Sequence, residues 1–255
     1  MIETNRTFVN SHESLGLMLI VSLAILLPGS ALAKADWGYV GKTGPDYWAE
    51  MGGENNACGG QNQSPVDIHG VVQADLAPIE LNYTGPGRQV VNNGHTVQVN
   101  FDSGSAIRVD GSEFALLQTH FHAPSENHIG GRSFPLEAHF VHADAEGNLA
   151  VIGVMFELGA ANPNLEELTS KAPMEMASSA TLSKGMHAAD FVTSGRDYYR
   201  FNGSLTTPPC SEGVRWLVLK EAASISSEQL QKLSAAFPHA NNRPLQPLNA
   251  RLVLE

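Results

Sequence analysis

Positive charge is scarce in this chain. Its 255 residues hold 15 lysines and arginines against 26 aspartates and glutamates, a formal net charge of −11. With no basic stripe to meet phosphate, the composition argues against a nucleic-acid partner. The acidity is scattered and reads as a solubility feature. Several site signatures are missing too. There is no HExxH, no CxxC and no glycine loop of the GxxxxGKS or GxGxxG kind, which removes the zinc-protease helix, the paired-thiol site and the phosphate cradle. Long apolar runs are missing except one. Residues 15–27, LGLMLIVSLAILL, carry no charge but fall short of the roughly 20 residues that span a bilayer. No repeat or low-complexity linker interrupts residues 36–255, so the mature chain reads as one domain without a membrane span.

That apolar run reads as an export signal. PGSALA follows it, with small residues at Ala31 and Ala33 in the A-x-A pattern of signal cleavage. Residues 1–35 are therefore expected to be removed, with cleavage near Ala33 or Ala35. The n-region lacks a positive excess because Glu3 and Glu13 offset Arg6, and an uncleaved anchor or a different start is the alternative. Export places the protein in a periplasm, or outside the cell. Cysteine is nearly absent, and both cysteines, Cys58 and Cys210, follow the signal. In an oxidising compartment a lone pair reads as one disulfide; two unrelated buried thiols are the alternative.

What is present is a β pattern. Hydrophobic content is 42%, enough for a substantial core, and turn signals such as Gly85-Pro86-Gly87, Asn92-Asn93-Gly94 and Gly130-Gly131 recur. Between them lie short strand-like runs at 96–101, 115–122, 136–142, 149–156 and 214–219. LAVIGVMF, at 149–156, is apolar throughout and should be buried on both faces. Two helices stand out. One spans 163–171 behind Asn162, with proline first, and one spans 227–237 behind Ser226, with Gln229 placed for a capping box. The class is mainly β with peripheral helices.

Residues 120–128, HFHAPSENH, carry the chemistry. On a strand, side chains at i, i+2 and i+4 share a face, so Gln118, His120 and His122 point one way. Residues 136–142 are expected to pair antiparallel with them, with Glu137 and His139 sharing a face. Three imidazoles then meet, with a carboxamide and a carboxylate placed to accept their second ring protons. Three neutral histidines with an open fourth position suit catalytic zinc, although other imidazole-binding metals stay possible at this point. His69, His128, His142, His187 and His239 read as loop or surface residues. His142, of opposite parity to His139, should face away from the metal.

Read in order, WGYVGKTGPDYW (37–48), QSPVDI (63–68), NNGH (92–95), QTHFHAPSE (118–126), EAHFVH (137–142), GSLTTPPC (203–210) and NRPLQPLN (242–249) resemble an alpha-class carbonic anhydrase. The HAPSEN wording and the cysteine pair resemble its exported bacterial branch. The resemblance runs from about Trp37 to Leu254. It implies a single domain built on a large twisted, mostly antiparallel sheet, with the metal at the base of a cone. It implies reversible hydration of carbon dioxide to bicarbonate and a proton by zinc-bound hydroxide. His120, His122 and His139 would hold Zn2+, with Gln118 and Glu137 behind them. Thr206 would accept a hydrogen bond from the hydroxide and donate one to Glu126. Thr207 would line the substrate site. Val141, Val151, Leu205, Val214 and Trp216 would form the apolar wall for carbon dioxide. Tyr39, Asn93 and Gln98 would organise water, and His95 would be the proton shuttle. Pattern alone does not aim His95 at the metal. Sulfonamide-type inhibitors are expected partners, and a homodimer is possible. Two other classes fit the same fold: a non-catalytic binding module, and a zinc-storage or adhesion protein. The first typically lacks a zinc histidine.

Overall fold

The computed structural model describes residues 37–192 and 197–255; the candidate signal, 1–35, lies outside them. Thirteen strands follow in chain order: β1 (Asp67–Ile68), β2 (Glu80–Asn82), β3 (Gly87–Asn92), β4 (Val97–Phe101), β5 (Ala106–Val109), β6 (Ser112–His122), β7 (His128–Ile129), β8 (Leu136–Ala143), β9 (Leu149–Leu158), β10 (Ser178–Met186), β11 (Tyr198–Ser204), β12 (Glu212–Leu219) and β13 (Ala223–Ile225). Eleven form one sheet in the order β10-β3-β4-β6-β8-β9-β12-β11, with β5 joining β2 to β6 and β13 beside β9. Pairing is antiparallel except where β12 and β13 run parallel to β9. β1 and β7 form a separate parallel pair. The expected mainly-β fold and its central antiparallel pair, β6 with β8, are both present.

Period-2 alternation sorts the central strands into two faces. Leu136, Ala138 and Phe140 of β8, Ile152, Val154 and Phe156 of β9, and Leu217 and Leu219 of β12 point into the larger core. Val141 of β8, Val151 and Met155 of β9, and Val214, Trp216 and Val218 of β12 line the opposite face. β9 is buried without a break from Ala150 to Phe156, as its unbroken apolar run requires. Each fully buried Leu, Ile, Val or Phe contributes about 1.5–3 kcal/mol, so this double-sided packing of β8 and β9 stabilises the centre of the sheet.

The helices lie outside the sheet order. Asn162 caps a 3-10 turn at Pro163–Leu165, and α1 (Glu166–Lys171) continues it. The expected helix 163–171 is thus a 3-10 turn followed by a short α-helix. α2 (Ser227–Ser234) starts at the Ser226/Gln229 capping box. It stops before the expected Phe237, because Ala236 and Phe237 bond three residues back, to Leu233 O and Ser234 O, tightening the last turn. No helix among the described residues is long and apolar enough to cross a membrane.

Candidate metal centre

A bulge decides which way the β6 histidines point. Phe114 and Leu116, even-numbered, pack into the larger core, and so does Phe121, which is odd-numbered. The register between β6 and β8 shifts between Leu116 and Gln118, and Leu117 is 46% exposed there. One extra residue reverses the alternation. Gln118, His120 and His122 therefore leave the apolar core and join the face that carries Glu137 and His139. His120 sits opposite His139, and His122 opposite Glu137. Gly153 of β9 lies opposite His139. A Cβ there would come 3.1 Å from Glu137 Oε1, so glycine leaves the room that the Glu137–His139 pair fills.

The three rings converge, with centroids 5.0 Å apart for His120 and His122, 5.2 Å for His120 and His139, and 4.6 Å for His122 and His139. Each ring has one nitrogen beside an acceptor, and at His139 the contact is one of distance alone, without hydrogen-bond alignment. His120 Nδ1 donates to Gln118 Oε1 at 2.9 Å, and His122 Nδ1 to the Asn241 carbonyl at 2.6 Å. His139 Nε2 lies 2.9 Å from Glu137 Oε1. These acceptors set the tautomers. They leave His120 Nε2, His122 Nε2 and His139 Nδ1 as candidate ligand atoms, and the three histidines can offer atoms within 4.8 Å of one another. His122 Nε2 is buried without a hydrogen-bond partner. Burial holds all three imidazoles below the ordinary histidine pKa, and neighbouring imidazoles add to this at His120 and His139. Three neutral, convergent nitrogens, one of them orphaned in the interior, fit a bound zinc ion.

Two buried carboxyls support the cluster. Glu137 Oε2 accepts the backbone N–H groups of Glu126 and Asn127, and its Oε1 the Asn127 side chain, each at 2.8 Å. It thereby fixes the loop after β6. Glu126, 1% exposed, accepts the Arg243 backbone N–H at Oε1, 2.8 Å. Its Oε2 lies 3.5 Å from His122 Nε2 and 3.9 Å from His139 Nδ1. Both distances are measured from free ligand nitrogens, which places Glu126 beside the point where they converge. Burial pushes the Glu126 carboxyl well up from its usual range, while the Arg243 N–H and the Thr206 hydroxyl pull it down.

A family model described as eukaryotic-type carbonic anhydrase matches residues 43–255. The chain belongs to this family, the alpha-class carbonic anhydrases. It is 44% identical to a carbonic anhydrase of Pectobacterium atrosepticum over 92% of this chain and 97% of that protein. It is 45% identical to one of Neisseria gonorrhoeae over 86% of this chain and 87% of that protein. Its fold matches the alpha-carbonic anhydrase of Thermovibrio ammonificans, solved with the inhibitor sulfanilamide, with a TM-score of 0.85 and 46% identity over 88% of this chain and all (100%) of that one. The enzyme expected from the motifs, a lyase of the carbonic anhydrase class, is what these relatives are.

In this carbonic anhydrase an apolar cluster packs beside the histidines and a polar-lined pocket reaches them. Val141, Val151, Val214 and Trp216 form one apolar cluster, with Leu205 packed against it. The Trp216 ring meets the His139 ring edge-on at 4.8 Å, and its indole N–H donates to Ser204 O. On the other side Tyr39, Asn93, His95, Gln98 and Thr207 line a pocket of ≈ 120 Å³ that reaches Gln118, His120 and His122. His95 stacks on Trp37 at 3.6 Å, with the ring planes 9° apart. Asn93 bridges to Gln98, Nδ2 to Oε1, at 3.4 Å. The Cys58–Cys210 disulfide is formed, and the Cys210 N–H donates to Thr207 O.

One expectation is corrected. His142 is not a surface residue: it is fully buried, 0% exposed, on the far face of β8. It points away from the three clustered histidines as its parity requires, into a site closed by Tyr83, whose OH lies 2.9 Å from His142 Nε2. Sequence reasoning also missed three supports: the Asn241 carbonyl on His122, Asn127 on Glu137 and the Arg243 N–H on Glu126. Two of these are backbone groups, which carry no residue-type signal. Asn127 stood within the HAPSEN wording without a role.

Proposed function

We propose that this enzyme hydrates carbon dioxide reversibly at a zinc ion held by His120, His122 and His139. The convergence of their free nitrogens beside Glu126 Oε2 is the observation that carries this reading. When bound there, zinc supplies a nucleophile at neutral pH by making water acidic, with a pKa of about 7 in the carbonic anhydrases themselves.

The chain's own residues do the rest. Gln118, Asn241 and Glu137 hold the imidazoles by their second nitrogens and raise their basicity. A cation at the imidazoles favours ionised Glu126 against the effect of burial. As a carboxylate Glu126 only accepts, so it takes the single Thr206 proton. Thr206 Oγ1 is left to accept from the nucleophile and aim it. Val141, Val151, Leu205, Val214 and Trp216 receive carbon dioxide, a small apolar electrophile, and Thr207 lines the site where bicarbonate forms. An acid of pKa near 7 releases its proton directly to water at only about 10²–10³ s⁻¹. Faster turnover needs a relay; His95, whose imidazole is held by burial below the ordinary histidine pKa, shares the pocket with Tyr39, Asn93 and Gln98 and supplies it.

The sulfanilamide complex of the Thermovibrio relative supports inhibition of this enzyme by aromatic sulfonamides. The apolar run, the A-x-A pattern and the disulfide support export, and N-terminal sequencing of the mature protein should begin at Lys34 or Asp36. The deciding experiment is stopped-flow hydration on residues 36–255, before and after chelation. Turnover that chelation abolishes and zinc restores is expected. A folded, zinc-loaded protein without turnover would refute the reading and leave a binding module.

A further inference from the structure

Arg243 is a cation buried to 3% exposure, and its guanidinium is spent on neutral oxygens. Nη1 donates to Gln63 Oε1 and Ser64 O, and Nη2 to Cys58 O, each at 2.8 Å. The guanidinium carbon stands 5.5 Å from the centre of the Trp48 ring. The same residue's backbone N–H holds Glu126 Oε1 at 2.8 Å. Pro244 follows, which has no N–H and restricts Arg243 to extended backbone. That N–H is therefore aimed by two constraints, the proline on one side and the side-chain anchor on the other.

The anchor leads back to the site. Gln63 Nε2 donates to the Cys210 carbonyl at 3.1 Å, and the Cys210 N–H donates to Thr207 O at 2.8 Å. The path closes a loop of contacts: Glu126, Arg243, Gln63, Cys210, and then the segment that carries Thr207 and Thr206. The two groups proposed to aim the nucleophile are thus held relative to each other by the disulfide-bearing segment, and Arg243 is the joint. A planar fork is needed here, because three oxygens from three residues diverge around it. An ammonium would reach them only in part.

We propose that Arg243 is a positioning residue for hydration. Its side chain, anchored on Cys58, Gln63 and Ser64, sets the backbone N–H that orients Glu126, and through Glu126 it sets Thr206. This rests on the roles assigned to Glu126 and Thr206 above. It does not touch substrate, and the apolar wall for carbon dioxide lies elsewhere. Loss of Arg243 should therefore lower kcat/KM for hydration, the constant that reports attack on carbon dioxide rather than the proton relay. An arginine that merely plugs a gap would lower stability and leave kcat/KM per bound zinc unchanged.

The test is a double-mutant cycle on the holoenzyme, with rates normalised to bound zinc: Arg243→Met, Glu126→Gln and the pair, with Arg243→Lys as the conservative variant. Arg243→Met should lower kcat/KM for hydration about 10-fold, and Arg243→Lys should fall between it and wild type. In the Glu126→Gln background, Arg243→Met should change kcat/KM by less than about 2-fold, because its route is already cut. Independently of turnover, amide exchange of the Arg243 N–H should quicken in Arg243→Met while β8 keeps its protection. Wild-type kcat/KM in zinc-loaded Arg243→Met overturns the proposal, and so does a full loss carried into the Glu126→Gln background. Should Arg243→Met not fold, Arg243→Lys carries the same cycle, and an undiminished kcat/KM there overturns the proposal. Full kcat/KM in Glu126→Gln alone would instead strike the role given to Glu126.

Discussion

Substituting His142 by glutamine should make this enzyme resist acid. The ring is fully buried on the core face of β8. Its Nδ1 faces the Ala150 carbonyl at 3.3 Å, and its Nε2 faces the Tyr83 OH at 2.9 Å. A carbonyl only accepts, so Nδ1 carries the proton and Nε2 accepts from the phenol. A second ring proton would have to enter at Nε2, against the phenol and away from water. Burial therefore lowers the pKa of His142 to about 4, with the Ala150 and Phe140 carbonyls opposing. In the unfolded chain a histidine titrates near 6.5. Above that pH both states hold it neutral. Between about 6.5 and 4 only the unfolded chain binds the proton, so stability falls as pH falls through this window. About 2.5 pKa units at 1.36 kcal/mol each give a loss of about 3 kcal/mol. Glutamine can donate to Ala150 O and accept from Tyr83 without titrating. Urea unfolding at pH 7, 6, 5 and 4 should show wild type losing about 3 kcal/mol more than His142→Gln. The candidate ligand histidines titrate in both proteins and cancel in the difference. Parallel curves for the two proteins would refute the argument.

Replacing both Cys58 and Cys210 by alanine opens a loop of sequence separation 152; chain entropy sets a ceiling of about 5 kcal/mol on the loss. The urea midpoint should drop and turnover should fall with it, because Cys210 is tied to Thr207 O; an unmoved midpoint would contradict this. Thr206→Val keeps the volume and removes the hydroxyl, so kcat/KM for hydration should fall about 10²-fold while Thr206→Ser stays near wild type. Equal losses in both would point to packing rather than to the hydroxyl. His95→Ala should lower kcat by about 10-fold or more in dilute buffer with kcat/KM unchanged, and added imidazole should restore it. A kcat that does not respond to buffer would remove His95 from the proton path.

The faces of β6 and β8 at the histidine cluster were legible because residues 118–122 and 137–139 each keep strict period-2 alternation, and the second strand adds a third imidazole to the HxH pair. β9 was legible from its unbroken apolar run. β10 and β11 were not read as strands: SSATLSKGM and YYRFNGS show weak alternation and contain glycine, and pairing at the sheet ends overrides weak local preference. The reading of His142 failed for a different reason. Parity correctly sent it away from the metal, but the far face of a central strand is core, and a histidine there needed a partner, Tyr83, that lies 59 residues away.

The bulge at Leu117 marks where local reading stops. Had β6 kept one alternation from Phe114 to His122, the histidines would share a face with Phe114 and Leu116 and sit in the apolar core, where three imidazoles would lack acceptors. The pattern at 118–122 says that the three residues agree with one another; only the shift of register against β8 says which face they agree on. The same limit applies to the second partners. His122 depends on a carbonyl 119 residues away, and Glu126 on an N–H 117 residues away, both offered by the short stretch from Asn241 to Arg243. Backbone groups are supplied by any residue, so nothing in the letters marks them. What the letters do mark is the residue needed to hold that backbone in place: an arginine before a proline, buried among carbonyls. A buried arginine whose side chain hydrogen-bonds only neutral oxygens is therefore a reason to ask what its own backbone is doing, and here the answer is Glu126.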